Sequence, residues 1–265
     1  LAGGGKGPGP AMKKKPGSGK HQNLAAEELI PAGPLHLISP GAAMHNHDVE
    51  QLASVLQASL AADAATRQRA EQEVEMLRRT AGSLLLMLRY VERETRPEWT
   101  SIRTAAAVLF KNTVRQVWGS PAREGEQAAI KTSIIDVMCS CPRAVQRQLT
   151  AAIGIICEKD FPTRWQSLLP ELAKRLGDSL SGVGLCDSII AVLSVCESVS
   201  ERFKVGLSDN AVLQHLPAVL QQLHPALLQI FMEMGNKLTS QPPPRGLKEL
   251  FEVQQLALSS MLSLA

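Results

Sequence analysis

From Asp48 to the end of the chain, apolar residues return every three or four positions, and no stretch alternates in the two-residue rhythm of a half-buried strand. The folded part is therefore confined to helices packed on helices, an all-α class. Asp48 to Ala61 carries Val49, Leu52, Leu56 and Leu60 at helical steps, and Asp63 is placed to cap a second helix that runs to Arg79. Gly82 to Glu94 reads as a short apolar helix broken at Arg96 and Pro97. The next helix reaches Trp118, with Ile102, Ala106, Leu109, Thr113 and Val117 on one stripe. After a loop from Gly119 to Gly125 come a helix over Glu126 to Cys141 and, beyond Pro142, one with Val145, Leu149, Ile153 and Ile156 in register.

Asp160, Phe161, Pro162 and Trp165 read as the start of another helix: Asp160 as its cap, Pro162 in its first turn, Phe161 stapled onto Trp165. Further helices are predicted at 163–176, 183–204, 210–237 and 246–264. Pro225 is expected to bend the long one, and Pro242 to Pro244 to form a stiff extended loop. Taken in pairs, the helices start near 48, 82, 125, 162 and 209, a unit of about 34 to 47 residues that falls in the range of HEAT and armadillo repeats. A pair of this size cannot cover its own apolar stripe, so neighbours must stack into a solenoid. The tetratricopeptide alternative fails, because its W-x-x-L-G-x-x-Y pattern is absent and the spacing drifts.

Charge separates the first residues from the rest. Positions 1–47 hold nine of the 19 Gly, six of the 16 Pro, five Lys and two acids, Glu27 and Glu28, so they carry the whole net +3. This stretch, with Lys13, Lys14 and Lys15 at its centre, is expected to be a disordered leader, and Met44 is a plausible initiator. From Asp48 onward 23 basic residues balance 23 acidic ones, and aromatic residues are 3% of the chain. That combination argues against direct nucleic-acid binding, which needs a basic footprint or a stacking platform. Asn210 to Met232 is free of charge but interrupted by Gln, His and Pro, so no membrane insertion is expected.

Five cysteines without C-x-x-C spacing indicate neither a disulfide framework nor a zinc site, and His45, His47, His215 and His224 lack a third ligand nearby. No metal and no cofactor are expected. No nucleophile elbow, Walker loop or H-E-x-x-H occurs either, so no catalytic residues are assigned and the chain reads as a non-enzyme.

Particular residues then resemble a known family. LFKNTVRQVW (Leu109 to Trp118), with Arg103 and Ala105 before it, is similar to the second repeat of the importin-β amino-terminal domain, and Ala70-Glu71 within TRQRAEQEV is similar to its first. Within that superfamily, residues 128–172 resemble the exportin-2 family in their AIK, QL-x-x-AI and DFP-x-x-W elements. The likeness runs from about Met44 to Met232. Thr113 and Gln116 depart from it, standing where the family often has aromatic and basic residues.

The resemblance implies a HEAT-repeat α-solenoid, antiparallel helix pairs wound into a right-handed superhelix. Residues 48–118 would form the importin-β amino-terminal domain and 119–265 about three further repeats. It also implies a nuclear export receptor that binds RanGTP, returns importin-α to the cytoplasm as cargo, meets nucleoporins, and shuttles between nucleus and cytoplasm. An importin-7-like import receptor, or a HEAT scaffold without Ran dependence, is the alternative.

Helical geometry places Lys111, Arg115 and Trp118 opposite the Ile102 stripe, free to meet a partner through charge-assisted bonds and a ring face. Together with Arg143 and Arg147 on the helix after Pro142 they are the candidate Ran-binding residues. Glu158, Arg67 and Arg69 are weaker ones, and Asn112 is expected to be tied to neighbouring backbone.

Overall fold

Ten α-helices can be followed along the described residues, 46–180, 187–205, 213–239 and 246–264, of the computed structural model. They are α1 Asn46–Ser59, α2 Ala64–Arg79, α3 Ser83–Arg93, α4 Thr100–Val117, α5 Glu124–Cys139, α6 Arg143–Asp160, α7 Leu168–Leu180, α8 Asp187–Val205, α9 Leu216–Thr239 and α10 Leu247–Leu264. Single 3-10 turns at Pro97–Trp99 and Pro121–Arg123 precede α4 and α5. No strand occurs among the described residues. The leader through His45, with Met44 and the Lys13 to Lys15 run, and the Pro242 to Pro244 loop lie outside them.

The helices pack as five antiparallel pairs, α1/α2, α3/α4, α5/α6, α7/α8 and α9/α10. One layer continues through α4, α6, α8 and α10, each touching the next; in the other, α1 meets α3, α3 meets α5 and α7 meets α9. This is an all-α HEAT-repeat solenoid. An inner helix of such a stack meets its pair-mate and a layer neighbour on either side, so it must be apolar over more than one stripe. Helix α4 obeys that rule. Ile102, Ala106, Leu109 and Thr113 are buried as predicted, and so is a second row, Arg103, Ala107, Phe110, Val114 and Trp118. Fully burying the larger aliphatic and aromatic side chains among them, Leu109, Phe110 and Val114, contributes roughly 1.5–3 kcal/mol each.

Helix starts follow local chemistry. Asp63 accepts a 2.7 Å hydrogen bond from the Thr66 N–H, which satisfies one open donor of α2. Gly82 precedes α3 at φ 88°, a backbone angle that strains any residue with a Cβ. Pro225 sits inside α9, and the helix runs through it.

The predicted start at Asp160 is corrected. Asp160 is the last residue of α6 and 1% exposed, Phe161 is the C-cap, residues 161–167 form turns, and α7 begins only at Leu168. The reason is electrostatic. Lys131 of α5 reaches the Asp160 carboxylate at 2.9 Å and Arg164 lies 2.8 Å from its other oxygen, so the acid is consumed by cations instead of backbone N–H groups. Phe161 packs edge-on against Phe203 of α8, with centroids 6.4 Å apart.

Cations also close helix C-termini, whose last carbonyls lack intrahelical partners. Arg103 donates to the Val91 carbonyl of α3 at 2.8 Å, Lys159 of α6 to the Trp118 carbonyl at 3.0 Å, and Arg202 of α8 to the Cys157 and Phe161 carbonyls at the end of α6. Arg103 ties its own pair together, while Lys159 and Arg202 each cross from one repeat to the previous one. Each fixes the register of a whole helix.

Candidate protein-interaction surface

The exposed side of the layer α4, α6, α8 and α10 carries most of the sequence-predicted residues. Arg115 is exposed near the end of α4 and Arg147 is exposed on α6; neither has a partner among the described residues. Lys111 lies one turn before Arg115, but its ammonium donates to the Gln148 Oε1 of α6 at 2.7 Å. It is half-buried and bridges two repeats, so the expectation that it stands free is corrected. Arg143 is paired with Glu252 of α10 at 2.5 Å, with 29% and 34% of the two side chains exposed.

Trp118 is a larger correction. It is 4% exposed and belongs to the core, its indole N–H buried without a hydrogen-bond partner among the described residues. Position 118, the C-cap of α4, continues the buried Ala107, Phe110, Val114 row of a helix that contacts both α3 and α6. The sequence argument recognised a single apolar stripe on α4 and so assigned Trp118 to the wrong side. Weaker candidates also resolve: Arg67 donates to the Ala61 and Ala62 carbonyls in the connection between α1 and α2 at 2.9 and 2.8 Å, while Arg69 and Glu158 are exposed.

Between α2 and α4 the layer opens into a groove of about 420 Å³, with Leu56, Val74, Val108 and Leu109 in its floor and Glu71 and Asn112 on its rim. Asn112 was expected to be tied to backbone. It is instead half-buried, makes no hydrogen bond among the described residues, and opens into this groove. An apolar floor with an unpaired amide and nearby cations is suited to a partner's projecting side chain and the peptide group beside it.

Behind the face, buried charges hold the repeats in place. Arg123, 5% exposed, donates to the Ser83 hydroxyl at 3.2 Å, to the Arg78 carbonyl that ends α2 at 2.7 Å, and to Glu126 at 3.1 Å. Glu126 in turn accepts from the Leu85 N–H at 2.9 Å, closing the start of α3. Arg103 reaches the Cys141 sulfur at 3.2 Å as well as the Val91 carbonyl. These residues were missed in the sequence. Their one signal was position: Arg103 falls in the apolar row of α4, where a cation must be satisfied internally.

Among the described residues, burial holds thiols and the one tyrosine in their neutral forms. Burial pushes the Cys157 and Cys196 thiols up to about 12, and burial, reinforced by Glu94, pushes the Tyr90 phenol to about 12. Cys139 and Cys141 are also raised, mainly by burial.

No family model matches the chain. Exportin-2 of Danio rerio is 28% identical over 194 residues, covering 71% of this chain and 19% of that protein. The importin-alpha re-exporter of Schizosaccharomyces pombe is 32% identical over 160 residues, 58% of this chain and 16% of that protein. The solved structure of the exportin Cse1 in its cargo-free, cytoplasmic state superposes with a TM-score of 0.70 and 25% identity, covering 82% of this chain and 23% of Cse1. The chain is exportin-2-like. It spans about a fifth of the length of the exportin-2 proteins it matches, and its helix pairs correspond to part of the Cse1 solenoid.

Proposed function

We propose that this chain is the Ran-gripping, amino-terminal part of a nuclear export receptor that binds RanGTP and returns importin-α from nucleus to cytoplasm. The likeness to exportin-2 and to Cse1 supports the reading, since both are named as exportins and the yeast relative as a re-exporter of importin-alpha. The observation that carries it to particular residues is the face of α4 and α6. There Arg115, three residues after the groove-lining Asn112, and Arg147 on α6 are exposed, and the α2–α4 groove opens on the other side of α4. Such a face complements a polar, partly acidic protein surface, while the apolar floor takes a side chain that the partner presents only in one nucleotide state.

In this reading GTP is bound and hydrolysed by Ran, and the receptor has no catalytic task. Coupling between Ran and importin-α is a reciprocal free energy, typically about 1–3 kcal/mol, transmitted through repeats that both partners engage. Passage between nucleus and cytoplasm, with contacts to nucleoporins, belongs to the same proposal.

The test is capture of the full chain by immobilised Ran loaded with GTP or GDP. Retention on the GTP form alone is expected. Arg115→Glu should weaken it by about tenfold, the loss of one charge-assisted contact at an interface. Equal retention on both forms, or none on either, overturns the proposal.

A further inference from the structure

A second cleft, of about 310 Å³, lies between α6 and α8 on the same layer. It opens because the facing side chains are small: Ala151 on α6, Ala191 and Ser194 on α8. At its wall stands Gln146. This residue is 4% exposed and falls in the apolar register of α6, three before Leu149 and seven before Ile153, yet its carboxamide has no hydrogen-bond partner among the described residues. Its polar atoms are not among the solvent-excluded unpaired ones, so the little surface the residue keeps includes the carboxamide, at the wall of the cleft. Gln148, two residues on and half-buried, is by contrast bonded to Lys111.

Arg147 lines the mouth of the same cleft, exposed and without a partner among the described residues. The two carboxylates that border the cleft are already engaged. Glu252 holds Arg143 at 2.5 Å, and Glu197 accepts from the Ser259 hydroxyl at 2.6 Å. What the cleft offers a ligand is therefore one amide, able to donate and accept at once, and one guanidinium fork beside it.

We propose that the α6–α8 cleft binds an extended peptide segment of a partner protein, one backbone amide pairing with the Gln146 carboxamide and a neighbouring acidic side chain meeting Arg147. A peptide unit carries one donor and one acceptor, the complement of a primary amide, and a carboxylate is the planar complement of the guanidinium. The charges around the cleft cancel, Arg143 and Arg147 against Glu197 and Glu252, so a single carboxylate is read here and not a dense polyanion.

The probe is a fluorescein-labelled heptapeptide of alternating Gly and Glu, titrated against the full chain and followed by polarisation; the matched Gly and Gln peptide is the control. Saturable binding of the acidic peptide is expected, with the control weaker by about tenfold, the equivalent of one charge-assisted pair. Arg147→Gln should weaken the acidic peptide about tenfold and leave the control unchanged. Gln146→Leu, which keeps the volume and removes the amide, should weaken both peptides several-fold without lowering the unfolding temperature. Arg115→Gln on α4 should change neither. Absence of saturable binding overturns the proposal, as do equal losses from Arg147→Gln and Arg115→Gln or an unchanged affinity in Gln146→Leu. No Ran is present in the titration. Peptide binding that survives alongside failed Ran capture counts against the functional reading alone, and the converse against the cleft alone.

Discussion

Arg123 and Glu126 show what a buried charge pair does in a stack of repeats. Their side chains are 5% and 7% exposed, and between them they satisfy the end of α2 and the start of α3, Arg123 from the turn before α5 and Glu126 from its first turn. Arg123→Met removes one partner and strands Glu126, so a loss of about 3–5 kcal/mol in urea unfolding is expected, with Arg123→Met/Glu126→Leu losing less than the sum of the single changes. Glu94 gives a pH-dependent counterpart. The hydrogen bonds from the Arg96 side chain hold its carboxyl below the ordinary value of 4.5 against the opposing effect of burial. A depressed folded value stabilises the protein fully above the ordinary value, and the contribution fades as pH falls through the folded value. Urea midpoints should therefore separate wild type from Glu94→Gln at pH 7 and converge in acid well below 4.5. At this scale the sequence was unevenly legible. Asp63 could be read as a cap because its partner is three residues away, whereas the partners of Asp160 include Lys131, 29 residues away, and no local pattern announces them.

Helices and their pairing were legible because they depend on periodicity and breakers alone. The predicted pairs near 48, 82, 125 and 162 correspond to α1/α2, α3/α4, α5/α6 and α7/α8; the start of α7 moved to Leu168 because the DFP-x-x-W segment serves the end of α6. Which side of α4 faces outward was not legible, since burial of Trp118 depends on a layer neighbour that a single amphipathic stripe does not reveal. The same dependence makes the junction between α6 and α8 testable. Arg202 donates to the Cys157 and Phe161 carbonyls, so Arg202→Leu leaves the end of α6 open and should cost about 1.5–3 kcal/mol, the range for hydrogen bonds from charged groups. Hydrogen exchange locates the effect: amides of residues 161–167 should lose protection before those of α3 and α4. Uniform loss across the chain would show that Arg202 supports global stability and not this cap.

For the stack as a whole, stability is roughly a sum of pair stabilities and nearest-neighbour contacts, and α10, like the first pair, has a layer neighbour on one side alone among the described residues. That helix bears the expected mark. Phe251, Leu258 and Leu262 recur at seven and four residues along α10 and are 58%, 40% and 66% exposed, while Val253 and Ala257 on its inner side are fully buried. An apolar stripe of this kind favours association in solution, because water is released when two stripes meet. Light scattering across a concentration series should show the full chain self-associating, and Phe251→Glu/Leu262→Glu shifting association to several-fold higher concentration. The same double change should leave the unfolding temperature of the dilute protein nearly unmoved, since substitutions at exposed positions stay within about 0.5 kcal/mol each. Val253→Glu, at 0% exposure, should instead lower it sharply by burying an unpaired carboxylate. If Phe251→Glu/Leu262→Glu destabilises the dilute protein as much as Val253→Glu does, the stripe is an internal contact of the folded chain and not an exposed face of α10.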